Sequence, residues 1–168
     1  MSMFIRDATT ADLDDLASLL VDFTALHASA LPRIYPRAVP DAQTTDYLRR
    51  VLALEDSALF VAEWNGQVVG FLLLQRGHVP RTPVHVPRQW VSIEAILVKE
   101  AFRGRGIGEA LIHHAHGWAR EQGIETVELL VAEFNTAAIT WYEKLGYTPL
   151  YRRMGYFLAC RAPDINLD

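Results

Sequence analysis

Ile93-Glu94-Ala95-Ile96-Leu97-Val98, running through Lys99-Glu100-Ala101-Phe102 into Arg103-Gly104-Arg105-Gly106-Ile107-Gly108, is the stretch whose reading decides the fold. Its first half is an apolar strand. Its second half is a glycine-rich turn, and a helical pattern begins immediately after it. Glycines at 104, 106 and 108 remove side chains where a backbone must curl closely round a ligand, and they tolerate positive φ. The N–H groups of such a turn and of the helix start behind it point outward without partners, a ready place for a phosphate or pyrophosphate. Arg103 and Arg105 add positive charge. The spacing therefore predicts an anion cradle, and the expected anion is a nucleotide cofactor.

Three glycine-rich patterns compete for this turn. A Walker loop needs Lys-Ser or Lys-Thr after its last glycine, whereas Gly108 is followed by Glu109-Ala110. A dinucleotide fingerprint needs G-x-G-x-x-G opening a βαβ unit, and this chain has G-x-G-x-G, late, with no second phosphate-binding unit behind it. The remaining pattern, Arg-x-x-Gly-x-Gly after a strand, resembles the coenzyme A loop of the GNAT N-acetyltransferases. Residues 126–147, Thr-Val-Glu-Leu-Leu-Val-Ala-Glu-Phe-Asn-Thr-Ala-Ala-Ile-Thr-Trp-Tyr-Glu-Lys-Leu-Gly-Tyr, are similar to that family's other signature: a strand, an Asn, and a short helix ending in Tyr-Glu-Lys-Leu-Gly-Tyr. The two blocks stand in the family's order and near its spacing. The resemblance covers most of the chain and is least specific over residues 28–55.

Composition bounds the rest. The chain has 168 residues, of which 51% are hydrophobic and 21% charged, which suits one globular domain over residues 1–168 with a substantial core. No apolar run approaches the ~20 residues of a membrane span, and the start, Met-Ser-Met-Phe-Ile-Arg-Asp, lacks a signal-peptide core. One cysteine, Cys160, excludes an internal disulfide and points to the cytoplasm; it reads as a packed strand residue rather than a nucleophile. A net charge of −4 argues against nucleic acid as a partner and is compatible with a cationic acceptor.

Along the chain, residues 4–6 read as a strand, with Thr9 or Thr10 capping a helix whose inward stripe is Leu13, Leu16, Ala17, Leu20, Phe23, Thr24 and His27. Pro32, Pro36 and Pro40 rule out a long regular element there. Thr44 or Thr45 opens a second helix to about Leu54. Residues 58–64 and 67–75 form a hairpin on Asn65-Gly66. Residues 77–88 read as a twelve-residue connection, and residues 90–98 as the strand feeding the cradle. The cradle helix buries Ile107, Ala110, Leu111, Ala115, Trp118 and Ala119 and ends near Gly123. Residues 127–131 read as a strand, 136–145 as a helix and 152–160 as a last strand. The expected fold is α/β: a mixed, mostly antiparallel central sheet flanked by helices, GNAT-like.

The resemblance implies an acetyl-CoA-dependent N-acetyltransferase working by direct attack in a ternary complex without a metal. Acetyl-CoA would be held by the backbone of Arg103, Gly104, Arg105, Gly106, Ile107 and Gly108, with Glu109 beside it. The pantetheine arm would run along Ile96, Leu97 and Val98, and the N–H of Leu97 or Val98 would serve the thioester oxygen. Asn135 resembles the family's coenzyme-contacting asparagine, and Asn is also a favoured helix N-cap. Glu94 interrupts an apolar strand, and alternation would put it on one face with Ser92, Ile96 and Val98. It is either paired in the core or facing a cleft; burial would tune it as a base, and a glutamate nine residues before the first loop arginine matches the family's base position. Tyr142, whose type titrates near ~10, would protonate the departing thiolate; as a residue pattern alone it also reads as a core aromatic.

His113, His114 and His116 read as the solvated face of the cradle helix, without the ligands that complete a metal site. His78 and His85 lie in the long connection. His27, with Tyr35, is a candidate acceptor contact. The acceptor, a small-molecule or peptide amine, would be bound by residues 22–40 and 77–90, where Arg33, Arg37, Arg81 and Arg88 would suit a carboxylate on it. A homodimer through an exposed strand edge is compatible with such a domain. The rival readings are a catalytically silent acyl-CoA-binding or regulatory domain, a transferase of longer acyl groups, and a nucleotide-phosphate binder of another fold.

Overall fold

A computed structural model describes residues 2–38 and 41–158, with Asp41 described in its backbone alone. Cys160, and the end of the last strand expected from the sequence, lie outside the described residues. The chain falls into two compact units, Met1–Phe134 and Asn135–Asp168.

The first unit is built on a five-stranded sheet in the order β1-β2-β3-β4-β5. Its strands are β1 (Met3–Asp7), β2 (Ser57–Trp64), β3 (Gln67–Val79), β4 (Arg88–Val98) and β5 (Val127–Leu129). Pairing is antiparallel from β1 to β4 and parallel between β4 and β5. Three helices cover the sheet: α1 (Leu13–Ala30), α2 (Asp41–Leu52) and α3 (Ile107–Glu121). The mixed, mostly antiparallel sheet expected from the sequence is therefore present.

Each face of the sheet has its own apolar layer. Leu13, Leu16 and Leu19 of α1 and Leu48 and Val51 of α2 pack on Leu59, Val61, Phe71, Leu73, Ala95 and Leu97. Leu19, absent from the predicted stripe, is fully buried, so the inward face of α1 is wider than that stripe. α3 packs on the sheet through Ile107, Leu111, Ile112, Ala115 and Ala119. Burial of each large side chain in these layers contributes about 1.5–3 kcal/mol before the entropy of ordering is subtracted.

The β2–β3 hairpin turns on Asn65 (φ 50°) and Gly66 (φ 83°), both in the left-handed region that a two-residue turn demands. Thr9 caps the short 3-10 turn before α1, with its hydroxyl accepting from Ala11 N–H and Asp12 accepting from Thr9 N–H. Several expected boundaries move. α2 starts at Asp41, and Thr44 lies within it, buried on the same face as Leu48 and Val51. The connection between β3 and β4 shortens to residues 80–87, since Gly77 pairs with Trp90 inside the ladder. A Cβ on Gly77 would lie 2.4 Å from the Trp90 ring, so this glycine makes room for packing rather than marking a loop. β5 stops at Leu129, two residues short of the expected end. Residues 152–158 form no strand; Tyr151, Met154, Tyr156, Phe157 and Leu158 are largely exposed, and an apolar stretch becomes a strand only where a ladder partner meets it.

A polar clamp ties β1 to the start of α1. Arg6 donates to both oxygens of Asp12, at 2.8 and 2.7 Å, and to Glu63 on β2 at 3.0 Å. The Arg6 fork and the Thr9 donors hold the buried Asp12 carboxyl down at about 2. Because that value lies below the ordinary carboxylate range, the stabilisation is complete above about pH 4 and is lost as pH falls through about 2. Removing the carboxylate in Asp12→Ala is expected to cost about 2 kcal/mol at neutral pH. Denaturant titration at pH 7 and pH 2 checks this: the wild-type and variant midpoints should differ at pH 7 and converge at the acid end.

Candidate active site

The register of β4 turns on one extra residue. Ala95 pairs with Leu73 and Ile93 with Leu74, so Glu94 is inserted in β4 opposite a single step of β3. This bulge reverses the alternation on either side of it. Ser92, Glu94, Ile96 and Val98 therefore do not share one face, contrary to the sequence reading: Ser92 pairs with Gln75, and Ile96 with Leu72, which lie on opposite faces of β3. Glu94 is exposed, so the burial expected to tune it as a base is not supplied. Its charge reaches the phenol of Tyr47 on α2: burial raises that phenol above its ordinary value and the Glu94 carboxylate raises it further. Glu94 thus looks out on the α1/α2 side of the sheet.

The bulge coincides with the end of a ladder. β4 and β5 pair only over Val91↔Val127, Ser92↔Glu128 and Ile93↔Leu129. From residue 94 to 98, β4 keeps β3 on one side and has no strand on the other among the described residues. An unpartnered strand edge is a row of main-chain donors and acceptors ready for another extended chain. Ile96, Leu97 and Val98, read from the sequence as the pantetheine strip, lie on this stretch.

After Val98 the chain passes through a short 3-10 turn, Glu100–Phe102, into the glycine turn. Lys99 N–H donates to Val69 O, and the Arg103 Nε donates back to Val98 O at 3.0 Å, fastening the turn to the end of β4. Gly104 (φ 72°) and Gly106 (φ 78°) take left-handed conformations, and the space where their Cβ atoms would stand is open. Gly106 is the N-cap of α3 and no side chain caps that helix start. The first intrahelical bond there is Ala110 N–H to Gly106 O, which leaves the N–H groups of Ile107, Gly108 and Glu109 outside the helical ladder. The Arg105 guanidinium lies over Trp64 (5.4 Å) and Phe102 (5.6 Å), positioned at the turn rather than loose in solvent. Glu109, the one acid of this first turn, lies 3.6 Å from His113 Nε2.

On the α1/α2 side a cavity of about 340 Å³ is lined by Leu20, Val21 and Thr24 of α1 and by Gln43, Asp46, Tyr47 and Arg50 of α2. It meets the expected acceptor region, residues 22–40, only at its edge, and its α2 wall was not read from the sequence. Tyr47 offered no signal of its own, being one aromatic on an amphipathic helix. Beyond Thr24, His27 is buried against Phe23 (ring centroids 4.4 Å), Tyr35 (4.8 Å) and Phe134 (5.7 Å). The structure thus brings His27 and Tyr35 together as expected. Arg88, an expected acceptor contact, pairs with Glu128 and lies over Trp90.

The second unit carries α4 (Thr136–Lys144). Asn135 is its N-cap, with Oδ1 accepting from Ala138 N–H at 3.2 Å, so its amide NH2 takes no part in the cap. Tyr142 is buried, and burial pushes its hydroxyl up to about 12. Tyr147 packs edge-on to it at 5.7 Å and is likewise pushed up to about 12, by burial and by Tyr142.

Among the described residues no group of three or more His, Cys, Asp or Glu is placed to hold a metal ion. His114 corrects the expected solvated face of α3: its ring packs at 4.5 Å from Phe60 of β2. His113 and His116 do share a face, 6.1 Å apart. Burial and the neighbouring His113 and Arg120 charges lower the His116 imidazole below its ordinary value.

The model of the acetyltransferase (GNAT) family matches residues 20–147, across both units. The chain belongs to the GNAT acetyltransferase family. An uncharacterized N-acetyltransferase of Methanocaldococcus jannaschii is 34% identical over 143 residues, which make up 85% of this GNAT chain and 59% of that relative. This chain therefore spans about three-fifths of the relative's length. A tetramutant of the BH1408 protein of Bacillus halodurans shares the fold with TM-score 0.86 at 23% identity, over 92% of this chain and 99% of that one. The aminoglycoside N-acetyltransferase AAC(6')-Iy, in complex with CoA, shares it with TM-score 0.76 at 22% identity, over 95% and 96% of the two chains.

The left-handed Gly106 gives a direct check on the turn. Gly106→Ala should lower stability by about 1 kcal/mol, since the new Cβ meets nothing and only backbone strain is added. Gly106→Asn should cost less, because Asn tolerates positive φ. Urea midpoints of the three proteins read the order; equal midpoints would mean the turn is not held left-handed.

Proposed function

We propose that this GNAT acetyltransferase moves the acetyl group of acetyl-CoA to the amine of a small molecule or peptide, by direct attack within a ternary complex. One observation carries the reading: beyond β4, whose edge over residues 94–98 has no strand partner among the described residues, the chain passes through one short 3-10 turn, Glu100–Phe102, to an uncapped helix start behind two left-handed glycines. An extended arm ending in a pyrophosphate fits that sequence of main-chain donors. AAC(6')-Iy, of the same fold, is in complex with CoA. Family membership supports the same co-substrate.

In this reading the backbone of Arg103, Gly104, Arg105, Gly106, Ile107 and Gly108 holds the pyrophosphate, with Glu109 turned aside toward His113. Ile96, Leu97 and Val98 flank the pantetheine arm, and the N–H of Leu97 or Val98 donates to the thioester oxygen. Loss of one such donor costs about 3 kcal/mol of transition-state stabilisation. Glu94, exposed on the α1/α2 side, draws a proton from the nitrogen directly or through water. Asn135 contacts the coenzyme through the amide NH2 that its cap leaves over. Tyr142 supplies the proton for the departing thiolate. The burial that pushes its hydroxyl up to about 12 keeps it protonated at every physiological pH. The acceptor enters along the α1/α2 cavity beside Tyr47. No helix among the described residues is long and apolar enough to cross a membrane; a cytoplasmic setting and pairing into a homodimer belong to the same proposal.

Calorimetric titration with acetyl-CoA tests the cofactor. Binding on the order of micromolar Kd is expected for the wild type and none for Gly106→Glu, whose carboxylate would occupy the anion site. Thiol release from acetyl-CoA with a panel of spermidine, L-lysine amide, an alanyl peptide and kanamycin tests the reaction. Tyr142→Phe should then lower kcat about a hundredfold at unchanged acetyl-CoA affinity. Acetyl-CoA binding without turnover of any amine would favour a silent acyl-CoA-binding domain, and tighter binding of ATP than of coenzyme A would overturn the cradle.

A further inference from the structure

Conversion of an ammonium to an amide removes two protons from nitrogen, one before attack and one as the tetrahedral carbon collapses. Glu94 accounts for one of them. We propose that His27 takes the other, through Nε2, from the incoming ammonium; this rests on the transferase reading above.

The geometry starts with the tautomer. His27 Nδ1 lies 2.8 Å from the carbonyl oxygen of Phe23, one turn back on α1. A carbonyl only accepts, so Nδ1 must carry the hydrogen, and in the neutral ring the lone pair then sits on Nε2. Nε2 is on the far side of the ring from that bond, directed away from the helix backbone. It has no protein partner among the described residues, and it is not among the side-chain atoms sealed away without one. The ring itself cannot swing: Phe23, Tyr35 and Phe134 pack round it.

Two placements set this nitrogen at the site. Phe134 lies five residues past the end of β5, on the segment that follows the point where the β4–β5 ladder stops, and it touches His27. Phe134 thus brings the segment that leaves the sheet beyond β5 against the His27 ring. Leu20, Thr24 and His27 also follow one another at helical spacing, so the α1 wall of the acceptor cavity leads to the imidazole. The faces of Tyr35 and Phe134 attract a cation on its way to that point.

The step balances simply. The ammonium gives one proton to His27 Nε2, and the freed nitrogen pair forms the C–N bond to the thioester carbonyl carbon. The C–S bond then breaks with its electron pair going to sulfur, which receives the Tyr142 proton, while the second nitrogen proton passes to Glu94. Solvent recharges Tyr142 and discharges His27 and Glu94, so the net release is one proton.

Two variants test the claim. His27→Asn keeps a donor for the Phe23 carbonyl and removes the Nε2 base; His27→Phe fills the aromatic cluster and removes both. With acetyl-CoA and the best-turned-over amine of the panel, kcat/KM should fall about a hundredfold in each, while calorimetric acetyl-CoA affinity stays within about twofold of the wild type. Long-range proton–nitrogen NMR of the wild type should show His27 as the Nδ1–H tautomer. Retention of kcat/KM within about threefold in either variant would overturn the proposal, as would an Nε2–H tautomer. Loss of cooperative melting or of acetyl-CoA binding in both variants would overturn it too, by making the residue structural. A wild type that acetylates no amine refutes the transferase reading itself; an active wild type with active variants refutes only the role of His27.

Discussion

The parallel ladder between β4 and β5 lasts three residue pairs and stops where Glu94 bulges out of β4. The proposed coenzyme site depends on that interruption. A strand paired on both sides has no main-chain groups to offer; a strand whose partner leaves has a row of them. The bulge also re-aims the side chains beyond it, so that Ala95 and Leu97 serve the α1/α2 core while Glu94 itself is left exposed to that side. The glycine turn is the continuation of the same strand, tied back to it by Arg103 through Val98 O. In the proposed reading, main-chain groups of this one segment take up both arm and phosphate, so most side-chain substitutions there leave the contacts in place.

The apolar layers hold that piece in place. Leu97 and Ala95 are anchored in the core shared by α1 and α2, and Ile107 anchors the first turn of α3 on the opposite face. The polar clamp of Arg6, Asp12 and Glu63 fixes the entry of α1, and with it the wall that carries Thr24 and His27. Charge plays a local part rather than a global one. The net charge is −4, yet Arg103 and Arg105 stand together at the turn where an anion is expected.

What the sequence disclosed depended on how local the cause was. The Asn65-Gly66 hairpin and the Gly104–Gly106 turn were readable because positive φ is a property of a single residue and its chirality. The bulge at Glu94 was not, because it exists only relative to β3, some twenty residues earlier in the chain, and strict alternation assumes a ladder without insertions. His114 was misread for a related reason: its place on α3 looks outward until β2 brings Phe60 against it. Residues 152–158 have strand-like composition, yet composition supplies no partner strand. Tyr47 and the α2 wall of the cavity stayed hidden because nothing in a helix's own sequence tells which charge of the sheet it will face.

Amide hydrogen exchange with and without acetyl-CoA addresses the central claim, that open strand edge and glycine turn form one coenzyme site. The account predicts slowed exchange in two linked stretches, residues 94–98 and residues 104–109, with β1 and β2 unchanged. Protection confined to other elements, or to the turn without the strand edge, would contradict it.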